Sequence, residues 1–301
     1  MLDGLLRAGA FVAAATLGYA EIPKPIDAPP PLAPEVAAGR FQVPEGFRVQ
    51  LVAAEPLIRE PSGVCWDERG RLFVCELHGY NLEGQLDVEE LNKTGRLDTE
   101  VRRIQADERF QEAAKAGTYG TLKLLRDADG DGRMDEAVVW ADRIPPCYGI
   151  CAARGGVVVA CAPDVRFYAD TDGDDRPDVE EVLFTGFETG ALERGVSNPT
   201  MGLDGWIYFG RGRGGEVHGP KSPKPFKLPG TDFRIRPDGG GVEPVVGGTG
   251  TFGFAFTEMG ERFVVSTRTP GIYVAPIEWR YLARNRDVAS PPLEVDASSD
   301  A

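Results

Sequence analysis

Histidine is almost missing from this chain, which has only His78 and His218. General acid–base work usually falls to His or a carboxylate, so one common catalytic resource is nearly gone. No Ser-His-Asp order and no nucleophile elbow is visible either. Cysteine is sparse: Cys65, Cys75, Cys147, Cys151 and Cys161. None forms CxxC or CxxCH, which excludes covalent haem attachment in this chain and leaves no evident zinc site. Basic charge is in deficit, with 33 Lys and Arg against 47 Asp and Glu and a net charge of −14. A surface of that sign repels phosphate backbones and argues against a nucleic-acid partner. The apolar run Ala8 to Ala20 has 13 residues, too few to span a bilayer, and no transmembrane helix is expected.

Glycine and proline are plentiful, at 38 and 24 residues. That share suits a turn-rich all-β chain. The dominant motif is Asp127-Ala128-Asp129-Gly130-Asp131-Gly132-Arg133-Met134-Asp135. It returns 43 residues later as Asp170-Thr171-Asp172-Gly173-Asp174-Asp175-Arg176-Pro177-Asp178. Each copy lies between two short apolar runs, so each joins two strands. A degenerate third copy is Arg234 to Glu243. A spacing in the forties is the mark of a repeat architecture.

A second repeat interleaves with the first. Gly63 to Cys75, Gly149 to Cys161 and Gly253 to Val265 each read as strand, tight turn, strand, and Met201 to Phe209 is a shorter fourth. Gly or Asp-Gly between aromatic and β-branched runs is the hairpin signal. Four hairpins predict a β-propeller of about four to five visible blades, spanning 41–285. Phe47, Val49 and Leu51 alternate as an opening strand. Four blades sit at the lower limit of closure and an unclosed ring exposes edges, so the chain is expected to be the N-terminal part of a longer protein, or a truncated form.

The flanks read differently. Residues 1–20 fit a secretory signal peptide, which predicts export to the periplasm or beyond. Residues 21–40 form a Pro-rich extended linker. Residues 80–118 break the repeat with charged, helix-prone segments, a lid or a tolerated surface insertion. Residues 286–301 are expected to be disordered. Arg211 to Gly215 resembles a phosphate loop only in its glycines.

The Asp loops carry the sharpest chemistry. Carboxylates at loop positions 1, 3, 5 and 9 are hard oxygen donors of the kind Ca²⁺ takes. The candidate ligands are Asp127, Asp129, Asp131 and Asp135 in the first loop, and Asp170, Asp172, Asp174, Asp178 and Glu181 in the second. The first loop has Val138 at position 12, and the second has Asp175 where Gly is usual. The alternative is a turn in which Asp side chains bond backbone amides. In either case the role is structural. His78 follows an inner strand and is a candidate base at a propeller face. The cysteines read as small buried residues: Cys65 with Cys75, and Cys151 with Cys161, lie diagonally on their hairpins, long for a disulfide.

Phe41 to Phe47, Trp66 to Leu72, the Asp loops, Leu203 to Tyr208 and Arg280 to Asn285 together resemble one family. It is that of large exported planctomycete proteins labelled membrane-bound dehydrogenase or haem-binding CxxCH proteins. The resemblance implies a propeller similar to the glucose/sorbosone dehydrogenases, pyrroloquinoline quinone as cofactor, and electron transfer to a cytochrome c domain or protein. This chain holds no haem domain, and Glu193 to Pro199, where such enzymes would place a His base, holds none. No catalytic residue is carried over. The alternative is a propeller that binds carbohydrate, another small molecule or protein without turnover.

Overall fold

In the computed structural model the described residues are 32–78, 120–189, 195–210, 214–228, 231–247, 251–266 and 271–275, with Tyr281, Arg284, Val295 and Asp296. The stretch 1–20 expected to be a signal peptide, most of the expected linker, the insertion expected at 80–118, Glu193 with Arg194, and 211–213 lie outside them.

Antiparallel meanders build the chain. β1 (Pro61–Trp66), β2 (Leu72–Leu77), β3 (Gly120–Arg126) and β4 (Glu136–Ile144) pair in that order as the first blade. β5 (Ile150–Ala153), β6 (Gly156–Cys161), β7 (Asp164–Ala169) and β8 (Val179–Phe187) form the second. The third holds β9 (Ser197–Met201), β10 (Ile207–Gly210), β13 (Phe233–Ile235) and β14 (Val242–Pro244). Its β11 (Gly215–Gly219) and β12 (Ser222–Lys227) leave as a hairpin and extend the second blade at β8. β15 (Thr251–Phe256), β16 (Arg262–Ser266), β17 (Ile272–Ala275) and β18 (Val295–Asp296) are the fourth.

The first strands adjoin in sequence, β1 beside β5, β5 beside β9 and β9 beside β15. That is the arrangement of blades about an axis. Among the described residues β15 and β1 do not adjoin in this way, and the architecture these residues show is a partial β-propeller. Both sequence repeats map onto it. The four predicted hairpins are the first turn of each blade, and the Asp loops are the third turn of the first two. In a four-stranded meander those two turns fall on the same edge.

Burial explains the strand sequences. Leu72 to Leu77 on β2 and Gly156 to Cys161 on β6 are buried throughout, because a blade covers each face. Such strands read as continuous apolar runs. One core joins Phe73, Leu122, Leu124 and Trp140 of the first blade to Ile150, Val157 and Tyr168 of the second. Another joins Val158, Phe167 and Phe184 to Ile207, Phe209 and Phe233 of the third. A buried ion pair, Arg262 to Asp232 at 2.6 Å, ties the third blade to the fourth.

Three flanking features differ from expectation. No strand forms over Phe47 to Leu51, and Phe47 is 73% exposed. The alternation is present, but the segment pairs with no strand among the described residues, and a strand without a partner has no ladder. The segment is held instead by Met134 N–H donating to Val52 O at 2.8 Å. Within the linker, α1 (Pro34–Ala38) is a short helix started by proline. In the tail, Val295 and Asp296 pair with β17.

Glycine decides how closely β11 docks. A Cβ at Gly219 would lie 2.0 Å from Leu183 O. Gly219→Ala is expected to force β11 from β8 and to cost roughly 1–3 kcal/mol, measured as a fall in the urea midpoint. An unchanged midpoint would mean that the hairpin adds nothing to the second blade.

Candidate functional site

The two Asp loops repeat one hydrogen-bond pattern. Asp127 accepts from Gly130 N at 2.7 Å and Gly132 N at 2.8 Å. Asp170 accepts from Gly173 N at 2.7 Å and Asp175 N at 3.1 Å. The last carboxylate reaches back in both, Asp135 to Ala128 N at 2.9 Å and Asp178 to Thr171 N at 2.8 Å. Asp129 and Asp131, like Asp172 and Asp174, each accept from the amide two residues on. These are amide-bonded Asp turns. They also gather oxygen donors. Asp127, Asp129 and Asp135 bring one carboxylate oxygen each within 4.8 Å of one another, as do Asp170, Asp172 and Asp174. Asp131 and Asp178 stand outside those trios. Glu181 lies on β8 with its carboxylate 3.1 Å from Arg154.

Asp175 departs from glycine at position 6, and the structure gives the departure a role. Its φ is +64°, a region that Asp tolerates better than most residues. Its carboxylate takes Arg71 at 3.1 Å and also pairs with Arg126, and its carbonyl accepts from Trp140 Nε1 at 2.8 Å. All three partners belong to the first blade. Arg71 further holds Asp67 at 2.8 Å and Asp170 at 3.1 Å. Burial pushes the Asp170 carboxyl up, but the Gly173 and Asp175 amides and the Arg71 guanidinium outweigh it and hold it low. Sequence spacing could not reveal this contact between Arg71 and a loop about a hundred residues away.

His78 lies on the opposite edge. Its Nε2 is 2.9 Å from Thr121 Oγ1 and 3.2 Å from Glu76, and its Nδ1 is 3.6 Å from Glu60. Glu76 is fully buried, 2.8 Å from Lys123 Nζ and 2.7 Å from Arg59 N. Burial raises the Glu76 carboxyl, but His78, Lys123 and the Arg59 amide together lower it from its ordinary value. His78 follows β2 and Thr121 lies on β3, so this network joins the two strands at that edge of the blade. His218 is placed on β11, opposite Thr185.

A cavity of about 660 Å³ opens between the two Asp loops and the β1–β2 turn. Leu72, Leu125 and Met134 give it an apolar floor, and Trp66, 56% exposed, stands at its side. Arg71, Arg126, Asp127 and Asp175 supply charge of both signs. Among the described residues, the buried Arg71 Nη2 has no hydrogen-bond partner.

The fit to pyrroloquinoline quinone is poor among the described residues. That cofactor carries three carboxylates, whereas the inner strands β1, β5, β9 and β15 contain no Lys, Arg or His. No step is derived through it. All five cysteines are free, four of them buried. The register confirms the diagonal: Cys65 opposes Phe73 and Cys75 opposes Gly63.

Blades of four antiparallel strands with inner strands set side by side define a propeller-class domain. The chain belongs to the family described as a domain of unknown function (DUF7133), whose model matches residues 33–301. No curated protein matches the sequence. Among solved structures, it is similar to a luciferin-regenerating enzyme at 9% identity and a TM-score of 0.38, over 78% of this chain and 59% of that one. It is also similar to a streptogramin B lyase at 14% identity and 0.34, over 73% and 67%. The virginiamycin B lyase from Staphylococcus aureus aligns at 11% identity and 0.33, over 71% and 66%. The chain thus spans 59% of the luciferin-regenerating enzyme it matches. The blade assignment rests on the sheet order and not on these alignments.

The lowered Glu76 carboxyl makes a signed prediction. Its stabilisation is fully present above the unfolded value, near 4.5, and is lost as pH falls through the folded value. Urea midpoints are expected to drop on acidification below that point. Glu76→Gln should flatten this acid limb and cost about 3 kcal/mol at neutral pH, by leaving the Lys123 ammonium without its opposing charge and with the Leu57 carbonyl as a neutral partner. An acid limb of unchanged steepness in the variant would assign it to other carboxylates.

Proposed function

We propose that this chain is an exported, propeller-built binding module whose cavity beside Trp66 takes a neutral, polyhydroxylated ligand of carbohydrate type, with Ca²⁺ in the Asp127 and Asp170 loops as structural support. The observation that carries the reading is the cavity itself. It joins a half-exposed indole and an apolar floor to a rim of paired charges. Its volume of about 660 Å³ falls within the usual range of small-molecule sites.

The chemistry follows from the lining. An indole face packs the C–H face of a sugar ring. Asp127, Asp175 and Gln50 accept hydroxyl protons, and Arg71 Nη2 is a buried donor that lacks an acceptor. The Arg71 charge is already offset by Asp67, Asp170 and Asp175. An anionic ligand would therefore find no uncompensated cation at Arg71, whereas a neutral hydroxyl needs none. Export rests on the Ala8 to Ala20 run. Calcium rests on the oxygen trios and on the loop spacing. Dehydrogenase activity and a cytochrome partner rest on the family resemblance alone, and the inner strands add no base to it. Binding is therefore preferred to turnover.

Tryptophan fluorescence titration with neutral mono- and oligosaccharides tests the reading. At least one sugar is expected to bind with Kd at or below about 1 mM. Trp66→Ala should abolish the signal while leaving the unfolding midpoint nearly unchanged, since the side chain is exposed. Calcium should raise the midpoint, and Asp127→Ala with Asp170→Ala should remove that rise. Chelator should weaken sugar binding, because Asp127 and Asp175 line the same cavity. No saturable binding by any sugar would sink the ligand assignment. A midpoint indifferent to calcium would sink the metal.

A further inference from the structure

The fourth blade repeats the pairing of the first. Gly63 opposes Cys75 and Cys65 opposes Phe73 on β1 and β2, while Gly253 opposes Val265 and Ala255 opposes Phe263 on β15 and β16. Opposed residues share one face of a sheet. In the first blade that face packs on the second: Phe73 and Cys75 belong to their common core and have no exposed surface. In the fourth blade it turns away from the third. The reverse face carries Phe256, its ring centroid 4.8 Å from that of Tyr208, and Arg262, paired with Asp232. Ile272 and Val274 extend the outer face onto β17, opposite Val265 and Phe263. None of these outer residues is charged, and Val265 and Ile272 are 46% and 47% exposed.

The matching half of such a contact is open on the first blade. The second blade meets the first through Ile150, Val157 and Val159, all buried. Ile150 opposes Val159, as its counterpart Val64 opposes Val74. Ile150 is 5% exposed, whereas Val64 is 60% exposed. Ala53, Leu57 and Ile58 pack with Leu72 and Val74 on this side and leave Val64 uncovered. Trp66 stands nearer the turn, beside the cavity.

We propose that a second copy of this chain docks on these faces, head to tail. The fourth blade of each copy packs on the Val64 side of the other's first blade, closing a ring of two copies. Four sheets from each copy make eight blades, within the range of about four to eight in which propellers close. Size favours two contacts over one. Four strands about 4.8 Å apart and about five residues long give a face of roughly 300 Å². One contact covers roughly 600 Å² over both copies, the scale of crystal packing, whereas two cover roughly 1,200 Å², the threshold of a stable interface. Copies of net charge −14 repel each other, and an uncharged face is where they meet at least cost. The contact is independent of any sugar in the cavity.

Light scattering behind size exclusion, on the full chain from about 1 to 100 μM, is expected to give twice the monomer mass. Val265→Asp should return the monomer. Met259→Asp, 87% exposed at the β15–β16 turn and off the face, should leave the mass unchanged. Val64→Cys copies mixed with Val265→Cys copies and a bismaleimide should cross-link to one another, while neither variant alone, nor the unsubstituted chain, does so. If Val265→Asp does not fold, the cross-link decides alone. A monomer at every concentration overturns the proposal, as does a mass that grows without limit. Val265→Cys copies linked among themselves would overturn the head-to-tail arrangement. A monomer in which the Val265→Cys thiol resists maleimide would mean that the chain covers its own face, and overturns the proposal equally.

Discussion

Arg71 carries the contact on which the first two blades depend. One guanidinium meets Asp67 of its own turn and Asp170 and Asp175 of the next blade's loop. It lies 5.3 Å from the Phe73 ring centroid and 5.5 Å from that of Trp140. Guanidinium is the group that serves several carboxylates and an aromatic face at once. A charge held this far from water demands partners, and here the partners come from two blades. The geometry of the second Asp loop is thereby set from outside the loop, by Arg71, Arg126 and Trp140.

The same logic recurs between the third and fourth blades. Asp232, fully buried, takes Arg262 at 2.6 Å and Thr251 Oγ1 at 2.7 Å. Apolar packing between blades is tolerant of sliding, since flat sheet faces offer similar contacts at neighbouring registers. A buried ion pair is not, because a displaced partner leaves an unpaired charge in low dielectric. The blade cores supply the area and the ion pairs supply the angle. The cavity beside Trp66 sits at one such junction, which is why its rim contains charge of both signs.

Much of the fold was legible in the residues. The Asp-Gly repeats and Gly-bearing hairpins marked the first and third turns of the blades, because tight turns demand particular residue types whatever surrounds them. The segments over Leu72 to Leu77 and Gly156 to Cys161 read as strands, but only the structure showed that both their faces are covered. The opening strand was misread for a physical reason: alternation at Phe47, Val49 and Leu51 satisfies the period of a strand, but pairing needs a neighbouring edge that periodicity does not report. The site was legible only in part. Six of the nine proposed ligands gather in two trios, while Asp131, Asp178 and Glu181 have other partners. Nothing in the spacing singled out Trp66 or Arg71 as cavity residues.

The sequence by itself determined the local features: all-β structure, the repeat, the turn positions, the negative surface and the amide-bonded Asp loops. Each depends on residues within a few positions of one another. Only the tertiary structure decided which residues meet across blades: Arg71 with Asp170, and Arg262 with Asp232. It also decided that Asp175, an exception to the loop pattern, is a point of attachment. Those contacts join segments separated by tens of residues. Their partners are chosen by how the blades pack and not by spacing along the chain.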